Sequence, residues 1–213
     1  MKGNKERTKL LLACGIIAGS IYIIAGGVQI LTRSGFDMTR HPLSLMSLGD
    51  LGWIQITNFM VTGLLVIAAA VGLRSLAQSD KRQALGSLLV GFYGGCVVGG
   101  GIFVTDPALG FPPGAPDTYP QTMSWHAMLH FIVGQMAFLS LIAASFVFAR
   151  HFIASHASGW AAFSTFTGVI FLAAIIALIA TAGMAWASIF LYVAVALGWV
   201  WLSALTIRMR ARV

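Results

Sequence analysis

The stretch Trp160–Ile207, WAAFSTFTGVIFLAAIIALIATAGMAWASIFLYVAVALGWVWLSALTI, contains no charged residue. As one helix it would be about 72 Å long at 1.5 Å per residue. The hydrocarbon core of a bilayer is only about 30 Å thick. The run must therefore fold back on itself, and Thr181-Ala-Gly183 is the expected hairpin, where glycine tolerates a strained backbone.

Four further runs, Leu10–Leu31, Ile54–Leu73, Ala84–Val104 and Trp125–Phe148, reach the roughly 20 residues that a spanning helix needs. With the last run split into about 160–181 and 184–207, the expected fold is all-α, a polytopic bundle of six transmembrane helices in a single domain, 1–213. The composition agrees. Of 213 residues 58% are hydrophobic and 9% charged, against about 25% charged in soluble domains. A β-barrel would need short strands alternating apolar and polar residues, whereas these runs are continuous.

Charge sets the expected orientation. Lys2, Lys5, Arg7, Lys9, Arg74, Lys81, Arg82, Arg150, Arg208, Arg210 and Arg212 fall on one side of a six-helix map. Only Arg33 and Arg40 fall on the other. The basic side faces the cytoplasm, so both termini are expected there, in a cell membrane of prokaryotic plasma-membrane type. The net charge of +7 is thereby explained without nucleic acid, for which no basic face with interleaved aromatics exists. An odd helix count would put the basic C-terminus on the wrong side. Leu11-Leu-Ala-Cys14 resembles a lipoprotein cleavage box, but the apolar stretch before it is too short for an export signal. Cys14 and Cys96 lie at depths differing by roughly 9 Å along the helices, too far for a disulfide, so both are expected as buried free thiols. The two halves share no polar landmarks, so no inverted repeat is expected.

The outer surface then consists of two loops, Thr32–Trp53 and Asp106–Ser124. They hold Asp37, Asp50, Asp106 and Asp117, four of the six acids. In the first, Ser44, Ser47 and Asp50 recur every third residue, as do Leu45, Leu48 and Leu51. This suggests a short interfacial helix after Pro42, polar on one face and apolar on the other, either a lid over the bundle or a float on the headgroups. The second loop holds five prolines between Asp106 and Gln121 and should be stiff. On the cytoplasmic side His151 and His156 lie in a polar connector and are expected to be solvated.

Candidate site residues follow. His126 and His130, at i and i+4, share a helix face just inside the outer interface. Asp106 ends the preceding helix at the same depth, and His41 lies in the loop above. Asp106 could tie the helices through an imidazole. The group could form a polar pocket for a lipid headgroup. His41, His126 and His130 could bind zinc with Asp106 as ligand or base, although HxxxH without a glutamate is a weak zinc signal. One histidine could ligate haem with a partner helix. No cofactor is favoured, and zinc is the alternative. Asn58 and Gln135 are amides inside spans and need partners or a ligand. Gly91, Gly95 and Gly99, with Gly15 and Gly19, suggest close packing of helices one and three, or a lipid groove.

The motifs RHPLSLMSLGDLGW (Arg40–Trp53), FVTDPALGFPPGAPDT (Phe103–Thr118) and HAMLHF (His126–Phe131) together resemble the membrane family known as domain of unknown function 998. The resemblance covers most of the chain. It implies a multi-helix membrane protein with no established activity, and points to His41, Ser44, Asp106 and His130. A looser likeness, in residue types alone, is to ceramidase-type zinc hydrolases. The expected function is an outward-facing pocket of His41, Ser44, Asp50, Asp106, His126, His130, Asn58 and Gln135 that binds a lipid or small amphiphile. The alternatives are a zinc-dependent hydrolase acting on lipid at the outer leaflet and a structural or assembly membrane protein. The implied partners are the bilayer and that ligand. Nothing in the pattern sets an oligomeric state.

Overall fold

A computed structural model describes residues 2–78, 80–180, 184 and 187–213. Most of it lies in six helices: α1 (Lys2–Thr32), α2 (Gly52–Ser75), α3 (Lys81–Ile102), α4 (Trp125–Ala154), α5 (Ser158–Ala180) and α6 (Ala187–Arg210). All six are long and apolar enough to cross a membrane, and the chain is a multi-pass helical membrane protein. The expected hairpin Thr181–Gly183 lies outside the described residues. Both α1 and α4 run well past their apolar segments, because a helix need not stop where its apolar side chains do.

The starts and stops have local causes. Asp80 caps α3, its Oδ1 accepting from the N–H groups of Arg82 and Gln83 at 2.8 and 3.2 Å. Ser124 caps α4, its hydroxyl accepting from Ala127 N at 3.1 Å. These bonds satisfy donors that a helix start leaves free. At the far end of α4, His156 adopts φ +55°. Ala157 N donates to Phe152 O and His156 N to Ile153 O, the paired closure of a Schellman turn. His156 is exposed, as expected.

Each helix packs against its neighbours in sequence, and α6 closes the ring against α1. With no aqueous driving force between spans, close approach depends on small residues. A Cβ on Gly63 of α2 would lie 2.7 Å from Gly94 O of α3, and one on Gly94 would lie 2.8 Å from Gly63 O. Gly15 and Gly19 of α1 are filled by Thr206 and Ser203 of α6. The expected pairing of helices one and three is therefore corrected. Gly91 faces Ala70 of α2, Gly99 faces Val133 of α4, and Gly95 meets nothing. In a ring closed in chain order, α3 packs chiefly against α2 and α4.

The bundle is unequal along its length. The half nearer the termini is densely filled by buried Phe148, Phe152, Trp201, Leu202 and Leu205. Across it, Trp201 Nε1 donates to Ser164 Oγ at 3.0 Å. The other half is hollow. Cys96 is buried and free, whereas Cys14 is only half-buried, on the outside of α1. This corrects the expectation of two buried thiols.

Candidate functional site

The hollow half is roofed by the two loops, which fold together into a cap. Leu45, Ala108 and Phe111 form a small core of their own, with Phe36, Leu48 and Leu109 around it. Arg33, just beyond α1, donates to Met46 O at 3.1 Å and Leu48 O at 2.7 Å. Its guanidinium lies 5.4 Å from the centre of the Phe111 ring. Burial holds its pKa below the usual arginine value, against the pull of Asp50. Arg40 pairs with Asp117 at 2.7 Å, joining the loops at the surface. From α6, Ser188 donates to Arg40 O at 3.1 Å and Tyr192 to His41 O at 2.8 Å.

His41 is the pin of this cap. Its Nδ1 accepts from Asp37 N at 2.9 Å, and its other nitrogen lies 2.9 Å from Leu109 O. A backbone N–H can only donate and a carbonyl can only accept. The ring is therefore the neutral tautomer protonated at Nε2, with both nitrogens engaged. It is 3% exposed. The carboxyl of Asp37 is held below the usual carboxylate range, chiefly by the Thr39 hydroxyl and also by its backbone N–H.

The segment after His41 is a 3-10 helix, Leu43–Ser47, rather than an amphipathic helix over Pro42–Leu51. Met46 and Ser47 are buried, while Leu51 and Asp50 are exposed. The expected assignment of polar and apolar faces is thus wrong at Ser47 and Leu51. The apolar partner of this segment is the second loop, not the headgroup layer.

Beneath the cap is a cavity of about 620 Å³. It reaches down to Tyr93, about 14 Å below the end of α3 at 1.5 Å per residue. There Tyr22 and Tyr93 flank Trp199, with ring centroids 4.6 and 5.7 Å from it. Of the eight candidates, Ser44, Asp106, His130 and Gln135 line the cavity, and His41, Asp50, Asn58 and His126 do not.

Asp106 does not pair with an imidazole. Its Oδ1 and Oδ2 accept from Ser124 Oγ at 2.6 Å and Ser124 N at 2.7 Å, which fixes the residue that caps α4. His130 bonds instead to Phe103 O, 2.6 Å from Nδ1. The carbonyl accepts, so Nδ1 carries the proton and Nε2 of the neutral ring is an acceptor. His126 is exposed, its ring centroid 3.5 Å from that of Trp125. At this first turn α3 has already ended, so no helix faces His126. The residues considered for zinc are therefore not gathered: His41 has no free nitrogen, and His126 and His130 part company. Among the described residues no three His, Cys, Asp or Glu side chains cluster closely enough to hold a metal.

Asn58 belongs to a buried amide cluster. Gln29 Nε2 of α1 donates to Gln55 Oε1 of α2 at 2.8 Å, and Asn58 Nδ2 donates to the same oxygen at 3.3 Å. The pair Gln29–Gln55 ties α1 to α2. Both glutamines interrupt apolar spans as Asn58 does, so the rule that singled out Asn58 would have found them. Gln135 has no hydrogen-bond partner among the described residues.

The His–Asp pair lies at the opposite end of the molecule. His151 Nδ1 donates to Asp80 Oδ2 at 2.6 Å, and His151 is 5% exposed. The expectation of a solvated His151 is thereby corrected. Burial acts to raise the Asp80 pKa, but the bonds from His151, Gln83 and Arg82 outweigh it and hold the carboxyl below its usual value.

Residues 16–208 match the family described as protein of unknown function DUF998. The chain belongs to that family. The match takes in the cap, the cavity lining, α2 to α5 and most of α6, and begins midway along α1. No curated protein and no solved structure matches the chain. For this DUF998 protein the site therefore has to be argued from its own geometry.

Proposed function

We propose that this DUF998 protein holds a single lipid or small amphiphile in the capped cavity, with the cap outside the cell membrane and both termini in the cytoplasm. The carrying observation is the roofed cavity of about 620 Å³. Its size falls in the range of roughly 300–1,000 Å³ typical of ligand sites, and its apolar walls with a few polar groups fit the usual character of such sites. Phe131 both lines the cavity and is 57% exposed. It stands about 9 Å along α4 from Trp125, at 1.5 Å per residue, which suits entry from the bilayer. The eleven-to-two division of Lys and Arg supports the orientation.

The other two readings have less support. The zinc ligands considered for a hydrolase are dispersed. Most of the glycines considered for assembly, Gly15, Gly19, Gly91 and Gly99, pack within the chain.

Gly134 provides the test. A Cβ there meets nothing within 4 Å, and the residue lines the cavity. Native mass spectrometry of the intact protein released from lipid nanodiscs should show one retained amphiphile in the wild type and none in Gly134→Trp. Equal retention by both would refute the proposal. A reporter after Val213 should be cytoplasmic and one near Gly114 external.

A further inference from the structure

Taking that cavity as the binding site, we infer that its occupant is a single-chain amphiphile whose head donates hydrogen bonds and carries no negative charge. Three observations lead there.

The first is the absence of cations. Among the described residues no lysine or arginine lines the cavity. The two arginines at the cap end are both engaged elsewhere. Arg33 is held by two backbone carbonyls and the Phe111 ring, and Arg40 by Asp117. A phosphate or carboxylate head would leave water without a counter-charge, which costs far more than burying a neutral group. Anion sites are normally built from arginine forks or lysine.

The second is the sign of the charge present. Asp106 lines the rim, and its bonds come from the neutral Ser124 hydroxyl and amide. Among the described residues it has no ion-pair partner. An anion there meets a like charge, whereas a hydroxyl or ammonium can donate to the lone pairs that Ser124 leaves free.

The third is the pattern of acceptors. Because His130 Nδ1 donates to Phe103 O, the remaining nitrogen of the neutral ring accepts. Gln135, also on the wall, has no partner among the described residues; its amide can donate or accept, so it accommodates such a head without selecting it. The His130 nitrogen favours a head with O–H or N–H groups. The cavity, at about 620 Å³, lies in the middle of the range for drug-sized ligands, which suits one alkyl chain better than a diacyl lipid.

The test uses the full-length protein in phosphatidylcholine nanodiscs with a diazirine-bearing C18 alcohol as photoprobe. The adducts are mapped by peptide mass spectrometry. Unlabelled oleyl alcohol, oleylamine and oleate then compete at equal mole fractions. The expected result is labelling of the α4 segment around Phe131–Phe138, suppressed by the alcohol, the amine or both, with oleate weaker by about tenfold or more, equivalent to at least 1.4 kcal/mol. The alcohol and the amine separate a neutral source from a cationic one. His130→Phe should weaken competition by the alcohol, and Gly134→Trp, or Gly134→Leu should the larger variant misfold, should abolish labelling. Oleate competing as well as the alcohol, with labelling still lost in the Gly134 variant, would overturn the head-group inference and leave the cavity reading intact. Labelling unchanged in a folded Gly134 variant would overturn both.

Discussion

Asp80 and Asp106 stand at opposite ends of the bundle and both organise a helix start, yet only one of them holds a histidine. Asp80 caps α3 with one oxygen and takes His151 with the other. Asp106 places both oxygens on Ser124, and His130 turns to a carbonyl. The difference lies in which donors reach each carboxylate. At the cap end the chain arrives at α4 through Ser124, which brings an N–H and an O–H together and satisfies the carboxylate locally. At the other end the helix start offers only backbone N–H groups to one oxygen. The second oxygen faces the buried ring of His151, packed beside Phe148 and Phe152. The residue types were the same at both ends. The local supply of neutral donors decided which imidazole was left over for the cavity.

Removing the carboxylate at each end should expose this asymmetry. Asp80→Ala deletes a cap, costing about 1 kcal/mol, and strands a buried imidazole N–H, costing about 1–3 kcal/mol more. A loss of about 2–4 kcal/mol is expected in detergent unfolding titrations. A loss below 0.5 kcal/mol would mean that the pair contributes nothing, and would erase the contrast.

The acid limb of stability should carry the same signature. Asp80 and Asp37 have folded-state pKa values below the ordinary carboxylate value. Their contribution is therefore present above about pH 4, the unfolded value, and is lost as the pH falls below it through the folded value. Asp80→Asn keeps a capping oxygen but removes the charge, so melting curves between about pH 5 and pH 3 should fall less steeply than those of the wild type. An unchanged slope would assign the acid limb to other groups.

Ser124→Ala is the counterpart at the cap end. It removes the α4 cap and one donor to Asp106, with an expected cost of about 1 kcal/mol. A cost as large as that of Asp80→Ala would show that the two ends are equally dependent on their carboxylates. Smallest of all, His126→Ala should shift stability by less than about 0.5 kcal/mol, as exposed substitutions do, whereas a large shift would place His126 inside the bundle after all.

The helices were legible because their cause is local. Long uncharged runs need little context, and the 160–207 run had to split to fit a bilayer. The cap was partly legible too. The repeat Ser44, Ser47, Asp50 has a period of three, which is that of a 3-10 helix rather than an α-helix, and the segment does form one. Which of its faces is buried depends on Phe111, more than sixty residues away, and no local pattern carries that. His151 was misjudged for a different reason. Beside Arg150 it reads as part of a polar connector, but α4 continues to Ala154. Three residues past buried Phe148, it lies on the same helical face. Extending the apolar period through the charge would have placed it inside.

The ring closed in chain order bears on how the protein is made. Every helix from α2 to α5 meets both sequence neighbours, so the wall can grow one span at a time as synthesis proceeds, with little search between distant segments. The seam between α1 and α6 is the exception. Its Gly15 and Gly19 notches can be filled only when Ser203 and Thr206 of α6 emerge, after the other five helices. Until then the first helix presents a bare, narrow groove to the membrane. α6 acts as the bolt that shuts the ring of spans, and its Ser203 and Thr206 do so in the filled half of the bundle, away from the hollow.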